Sequence, residues 1–410
     1  MENNKKEILK FPKDFLWGAA ISSYQTEGGN YNTDWSQWEK AGKSKEECKE
    51  ACDYWNRWKS DHDMLSQIGV KAFRLSIEWS RVEPEEGVFS EEALARYREI
   101  LSDLRERGIR TQVTLWWWAS PLWFSKKYGF HRKKSVKIFA RYVEKVTEEL
   151  GSFIDIWTVL NEPMVPLGQG YLAGLFPPGY KYSQPWRAYF AVNNLAKAHI
   201  ESYKIIHRHD PNAQVGISYL YNCYMTEGLW FFEKIVDKIA RWWRIDLLGN
   251  KIKNFQDYVG INYYRLGRMR FDPKNSAYMG FRMEDDPKNV MGWVTYAKGI
   301  YAVLKEAHKK FDRPIYILEN GVPTNIGLED NERIAFIKDH LIFTHKAIQE
   351  GVPVKGYNYW ALMDNYEWLS GYGPRFGLVE VDFRTFVRTL RKSALEYAKI
   401  CKSNEVKIEN

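Results

Sequence analysis

A chain of 410 residues, 45% apolar and 27% charged, has enough material for one large barrel or two to three ordinary domains, with a globular balance of residues. No apolar run approaches the ~18 residues of a bilayer span, and the opening MENNKKEILKFPKDF lacks the apolar stretch of a secretory leader, so a cytoplasmic protein without a membrane partner is expected. The net charge of +8 is dispersed among acids, as in EECKEACDYWNRWKSDHD, and the densest basic stretch, 125–134, is short, which argues against a nucleic-acid partner.

In chain order, short β-branched or aromatic runs alternate with longer amphipathic stretches. Strand candidates at 15–19 and 72–77 come first, and a helix candidate at 90–107 follows them. A strand at 111–115 leads to a helix at 134–150, and a strand at 156–160 to a helix at 186–207. Strands at 214–218 and 258–262 precede a helix at 295–311; a strand at 315–318, a helix at 330–350 and a last strand at 356–360 complete the rhythm. Eight strands without a linker or a shift in composition predict an α/β protein, a single-domain (β/α)8 TIM barrel over 1–410. No glycine-rich phosphate fingerprint follows the first strand, which argues against a dinucleotide cofactor.

Cys48 and Cys52 lie one helical turn apart without a second pair at zinc-ligand spacing; with Cys223 and Cys401 they read as reduced thiols. No His/Asp cluster sits at the strand ends, so neither a metal nor a cofactor is expected. The 18 Trp, 26 Tyr and 21 Phe are an unusual load. A core absorbs many of them, but flat indole faces also stack on the C–H faces of sugars.

Polar residues gather just past the strand ends: Gln25 after the first, Arg74 in the second, Asn161 and Glu162 at the fourth, Asn262 and Tyr264 at the sixth, Glu319 and Asn320 at the seventh, Glu367 beyond the eighth. A barrel brings such ends to one rim. Glu162 and Glu319 then face each other from strands four and seven, and a pair of carboxyl groups about 5–5.5 Å apart is what retaining cleavage of a glycosidic bond requires.

The segments FLWGAAISSYQTEG, AFRLSIEWSRVEP, WTVLNEP, DYVGINYY, YILENG and GYNYWALMDNYEWLSGYGPRFGLVEVDF, in this order and spacing, resemble glycoside hydrolase family 1, the β-glucosidase/β-galactosidase group, over residues 11–397. The resemblance implies a β-glycoside or oligosaccharide as substrate. It makes Glu162 the acid/base and Glu319 the nucleophile, with Asn161 donating to the sugar 2-hydroxyl and Arg74 and Tyr264 keeping Glu319 ionised and oriented. Gln25 and Glu367 would hold the 3-, 4- and 6-hydroxyls, Trp360 the sugar face, and Trp368 a further wall; Trp117, Trp118, Asn262 and Phe376 complete the expected substrate-binding set.

The third strand, TLWWWASPLWF, departs from the family, which usually has a histidine where this chain has Trp117. Either the subsite is narrowed, the sugar sits differently, or Trp117 folds away. Met164 after the NEP motif implies a softer aglycone wall, and LSGYGPRFG lacks the pattern of phosphoglycoside enzymes. The chain is short for the family, with length missing at about 219–256, which implies a trimmed rim. The competing class is a non-catalytic carbohydrate-binding protein on the same barrel, which would be expected to have lost one of the two glutamates.

Overall fold

The computed structural model describes residues 7–225, 235, 238–271, 281–283, 288–325 and 327–408. Eight parallel strands close into a barrel in chain order: β1 (Leu16–Ala20), β2 (Ala72–Ser76), β3 (Arg110–Trp116), β4 (Ile156–Asn161), β5 (Gln214–Leu220), β6 (Tyr258–Asn262), β7 (Ile315–Asn320) and β8 (Val354–Trp360), with β8 pairing β1. All eight expected strands form. Several run one or two residues further, because parallel hydrogen bonding continues through the polar residues at the strand ends. Their near-continuous burial explains why they read as solid apolar runs rather than alternating ones.

Helices pack outside. They include α1 (Tyr54–Ile68), α2 (Glu91–Glu106), α3 (Lys134–Leu150), α4 (Pro185–His209), α5 (Leu247–Ile252), α6 (Ala297–Phe311), α7 (Asn331–Gln349) and α8 (Lys392–Ser403). Each long helix buries one stripe; in α3 it is Ile138, Phe139, Tyr142, Val143, Val146 and Leu150. Ser90 caps α2 by accepting from the Ala93 amide at 3.2 Å. An antiparallel pair, Glu7–Lys10 with Glu405–Ile408, ties the two ends of the described chain together beneath the barrel. The small three-stranded sheet of Cys223–Met225, Leu266–Phe271 and Phe281–Met283, and the hairpin of Val379–Val381 with Arg388–Leu390, had no clear signal in the sequence.

Two features aim the C-terminal strand ends. The pairing of β4 with β5 shifts register between Thr158 and Asn161, and that of β7 with β6 between Ile317 and Glu319, so both glutamates are turned by local irregularity. Beyond β8, buried Arg391 grips Asp364 with two 2.8 Å hydrogen bonds, and Arg333 donates to Asp330 and to the Gly377 carbonyl. The bidentate Arg391–Asp364 pair and the Arg333 contacts brace the loop that carries Glu367.

Gly321 follows Asn320 where the backbone passes against β8, and a Cβ there would run into the Trp360 carbonyl oxygen. Gly321→Ala is therefore expected to destabilise the protein by about 3 kcal/mol, as for a backbone-displacing overpack, and to lower activity by moving Trp360. Thermal unfolding and turnover measured on the same preparation check both.

Candidate active site

Arg74 projects from β2 into the barrel and is completely buried. Its Nη1 donates to Glu319 Oε1 at 2.6 Å and its Nη2 to Asn161 Oδ1 at 2.7 Å. Tyr264, just past β6, donates its hydroxyl to the other Glu319 oxygen at 2.6 Å. Asn262 donates Nδ2 to Glu162 Oε1 at 2.7 Å, and its amide also acts on the Glu319 carboxylate. The two carboxylates are close enough that the Glu319 charge acts directly on Glu162.

Asn320 sets the neighbouring backbone. It donates to the Tyr263 carbonyl at 2.6 Å and accepts from the Tyr357 hydroxyl at 2.8 Å, joining β6, β7 and β8. Glu162 itself has φ +43°, and Trp118 and Trp368 at the same rim have φ +65° and +49°. Non-glycine residues in that region cost about 1–3 kcal/mol each and persist where surroundings over-determine them.

The electrostatics of the two glutamates differ. Burial raises both. For Glu319 the Arg74 cation, the Tyr264 hydroxyl and the Asn262 amide pull back toward the charged form. Glu162 is pushed well above the usual carboxylate range, by burial first and by the Glu319 charge second, with only Asn262 and the more distant Arg74 opposing. Glu367 is pushed up to about 8 by its packed surroundings and by Glu319.

Around the carboxylates lies an aromatic cluster separate from the barrel core, including Tyr24, Trp35, Trp117, Tyr264, Trp360, Trp368 and Phe376. Trp368 stacks on Tyr24 at 5.6 Å and touches Trp35 at 4.5 Å and Trp118 at 4.9 Å. Trp118 also donates its indole N–H to the Asn161 carbonyl at 3.1 Å. Phe376 packs 6.2 Å from Tyr264. The structure thus brings the expected residues together, and three placements bear on the expectations.

Trp117 does not fold away: it is 5% exposed, stacked on Trp360 at 5.4 Å and lying over the Arg74 guanidinium at 4.1 Å. Gln25 has both amide ends committed to protein, Oε1 to Ser22 and Nε2 to the Tyr366 carbonyl, Asn365 and, at 3.4 Å, Glu367. It anchors the Glu367 loop as much as it faces the pocket. Met164, expected to soften the aglycone wall, is buried in the main core, because the short helix Met164–Pro166 packs on β5 and the helical segment Leu167–Ala173 after it packs on α4. Trp35, Tyr24, Phe176 and Trp293, which lies 5.6 Å from Tyr264, went unnoticed in the sequence; only the aromatic excess hinted at them.

Residues 8–229 and 246–406 match Glycosyl hydrolase family 1. The chain belongs to that family. It is 33% identical to Beta-glucosidase A of Thermotoga maritima, over 97% of this chain and 99% of that one, and 29% identical to a Beta-galactosidase of Sulfolobus acidocaldarius, over 97% and 96%. A solved beta-glycosidase from Pyrococcus horikoshii superimposes with a TM-score of 0.91 at 39% identity, covering 98% of this chain and 97% of that one. This family 1 chain is a β-glycosidase. The break in its family match, 230–245, falls within the stretch 219–256 where missing length was expected. Among the described residues no helix is long and apolar enough to cross a membrane, and the one cluster with metal-ligating spacing, Glu144, Glu148 and His209, is on outer helices away from the strand ends.

The Glu367 pKa has a consequence for stability. An unfolded glutamate titrates at about 4.3; between there and about 8 the folded enzyme holds a proton that the unfolded chain does not, so stability falls as pH rises through that window. Glu367→Gln removes this burden: it is expected to raise the melting temperature by roughly 1–3 °C at pH 7 and to give no gain near pH 4. Calorimetry at the two pH values checks the sign.

Proposed function

We propose that this family 1 enzyme removes terminal β-linked glucose-, galactose- or fucose-type residues with retention, by double displacement through a glycosyl-enzyme. The observation that carries the reading is the asymmetry of two adjoining carboxylates: Glu319 is gripped by Arg74 and Tyr264, whereas Glu162 is held by a neutral amide. At neutral pH that asymmetry keeps Glu319 ionised and Glu162 protonated.

Glu319 attacks the anomeric carbon while Glu162 gives its proton to the departing oxygen. Once Glu319 is an ester its charge is gone, and with it the repulsion that raised Glu162. Glu162 then serves as base, drawing a proton from water, or from a second sugar in transglycosylation, as that oxygen displaces Glu319. Asn161 has its carbonyl oxygen fixed by Arg74, which leaves its amide to donate to the sugar 2-hydroxyl. Trp360 and Trp368 offer faces for the ring, and Glu367, partly exposed and neutral over most of the physiological range, receives the outer hydroxyls. No metal or cofactor enters this scheme. The four free cysteines support a reducing, cytoplasmic location.

The contact of Trp117 with Trp360 favours a second reading of specificity. An indole supplies one donor and no acceptor, so the preference among glucosides, galactosides and fucosides is expected to differ from that of relatives with a smaller polar residue there. Relative kcat/KM on the three aryl β-glycosides measures it, and Trp117→His altering none of the ratios would remove this reading.

A 2-deoxy-2-fluoro β-glycoside is expected to label Glu319 covalently; a label on any other residue overturns the assignment. Glu162→Ala should slow poor leaving groups by about 10²–10⁴-fold, with azide restoring the rate as a β-glycosyl azide. The pH profile of kcat/KM should be bell-shaped, falling at low pH as Glu319 takes up a proton and at high pH as Glu162 loses one. Loss of the basic limb in Glu162→Gln identifies its owner.

A further inference from the structure

Arg74 is fully buried, with Nη1 on Glu319 and Nη2 on Asn161. Its Nε–H, also buried, finds no hydrogen-bond acceptor among the described residues. No polar group among the described residues therefore steadies the inner end of the guanidinium, and a planar cation bonded only at its tips can still tilt about the line that joins them. An aromatic face supplies what hydrogen bonds do not: the Trp117 ring centre lies 4.1 Å from the guanidinium carbon. That ring is itself pinned, stacked on Trp360 with 29° between planes and 5.4 Å between centres.

We infer that Trp117 is a positioning residue for the glycosidic reaction, acting through Arg74: its indole, clamped against Trp360, holds the guanidinium at the angle that orients Glu319 for attack and Asn161 for the 2-hydroxyl. The inference rests on the roles proposed above for Glu319 and Asn161. The physics is the attraction of a cation to the negative face of an aromatic ring, strongest for Trp and strengthened where water is excluded. Trp117 at 5% exposure and Arg74 at zero meet that condition. Because Glu319 and Asn161 share this one cation, a small tilt misplaces both the nucleophile and the amide that steadies the transition state. Its effect therefore falls on the chemical step and much less on ground-state binding.

A ring with a face should substitute for Trp117, and an aliphatic side chain of similar bulk should not. The test compares Trp117→Phe, Trp117→Leu, Arg74→Lys and the double variant Trp117→Leu/Arg74→Lys. The readouts are kcat and KM on an aryl β-glucoside and the rate at which a 2-deoxy-2-fluoro glucoside labels Glu319. Trp117→Leu is expected to lower kcat and the labelling rate by about thirtyfold, as for loss of a desolvated cation–π contact, with KM changed by less than about threefold. Trp117→Phe should stay within about fivefold of wild type, since its face is smaller but present. In the Arg74→Lys background the leucine change should cost less than about threefold more, because the group it acts through is already altered.

Equal losses in the phenylalanine and leucine variants, an effect confined to KM, or full additivity in the double variant would each overturn the inference. Circular dichroism establishes that each variant is folded; if the leucine variant is not, Trp117→Met takes its place in the same cycle. Failure of wild-type enzyme to label at Glu319 would instead end the role assignment beneath it, so the two failures are distinguishable.

Discussion

A guanidinium shut inside the barrel is the constraint from which the rest of the site follows. Arg74 has no water to solvate it, so the fold must surround it with negative charge, amide dipole and aromatic face. Glu319, Asn161 and Trp117 come from strands far apart in the chain, and only closure of the sheet brings them to this cation. Removing any one of them leaves a buried charge or a buried donor incompletely satisfied, so these residues form one unit rather than a set of independent contacts.

The same cation creates the difference between the two carboxylates. Both are buried, and burial alone would neutralise both. Arg74 and Tyr264 pull Glu319 back toward the charged form, whereas Glu162 and Glu367 are raised further by the Glu319 charge, which is the asymmetry on which the proposed roles rest. With the proposed roles, one anion sits among three acids, and such a site needs rigid walls, since the repulsion grows as dielectric falls. The paired Arg391 and Asp364, the Arg333 contacts and the left-handed backbone at Trp118, Glu162 and Trp368 supply that rigidity.

The aromatic lining serves packing and recognition together. Tyr24 stacks on Trp368 and Trp35 tilts against it, and under the proposed function the faces of Trp360 and Trp368 offer flat apolar surface to a sugar ring. Trp117 joins these two functions, because it links the platform of Trp360 to the cation beneath Glu319. Its contacts make position 117 part of the charged centre, where the usual histidine would have been read only as a partner for a hydroxyl.

Much of this was legible in the amino-acid sequence. Eight apolar runs alternating with amphipathic helices determined the barrel, because burial of both faces of a parallel sheet leaves that pattern in any chain. Polar residues just past those runs marked the rim, and the NEP and ENG motifs marked the two glutamates. The pairings were not legible: that Asn262 serves Glu162, that Gln25 is tied up by Ser22 and Tyr366, that Met164 turns into the core, or that Trp35 and Trp293 stand at the site. Local periodicity specifies which face of an element is buried, but not what meets it from the other side of a closed barrel. Those contacts join residues separated by up to hundreds of positions, and strand register together with loop bracing decided them.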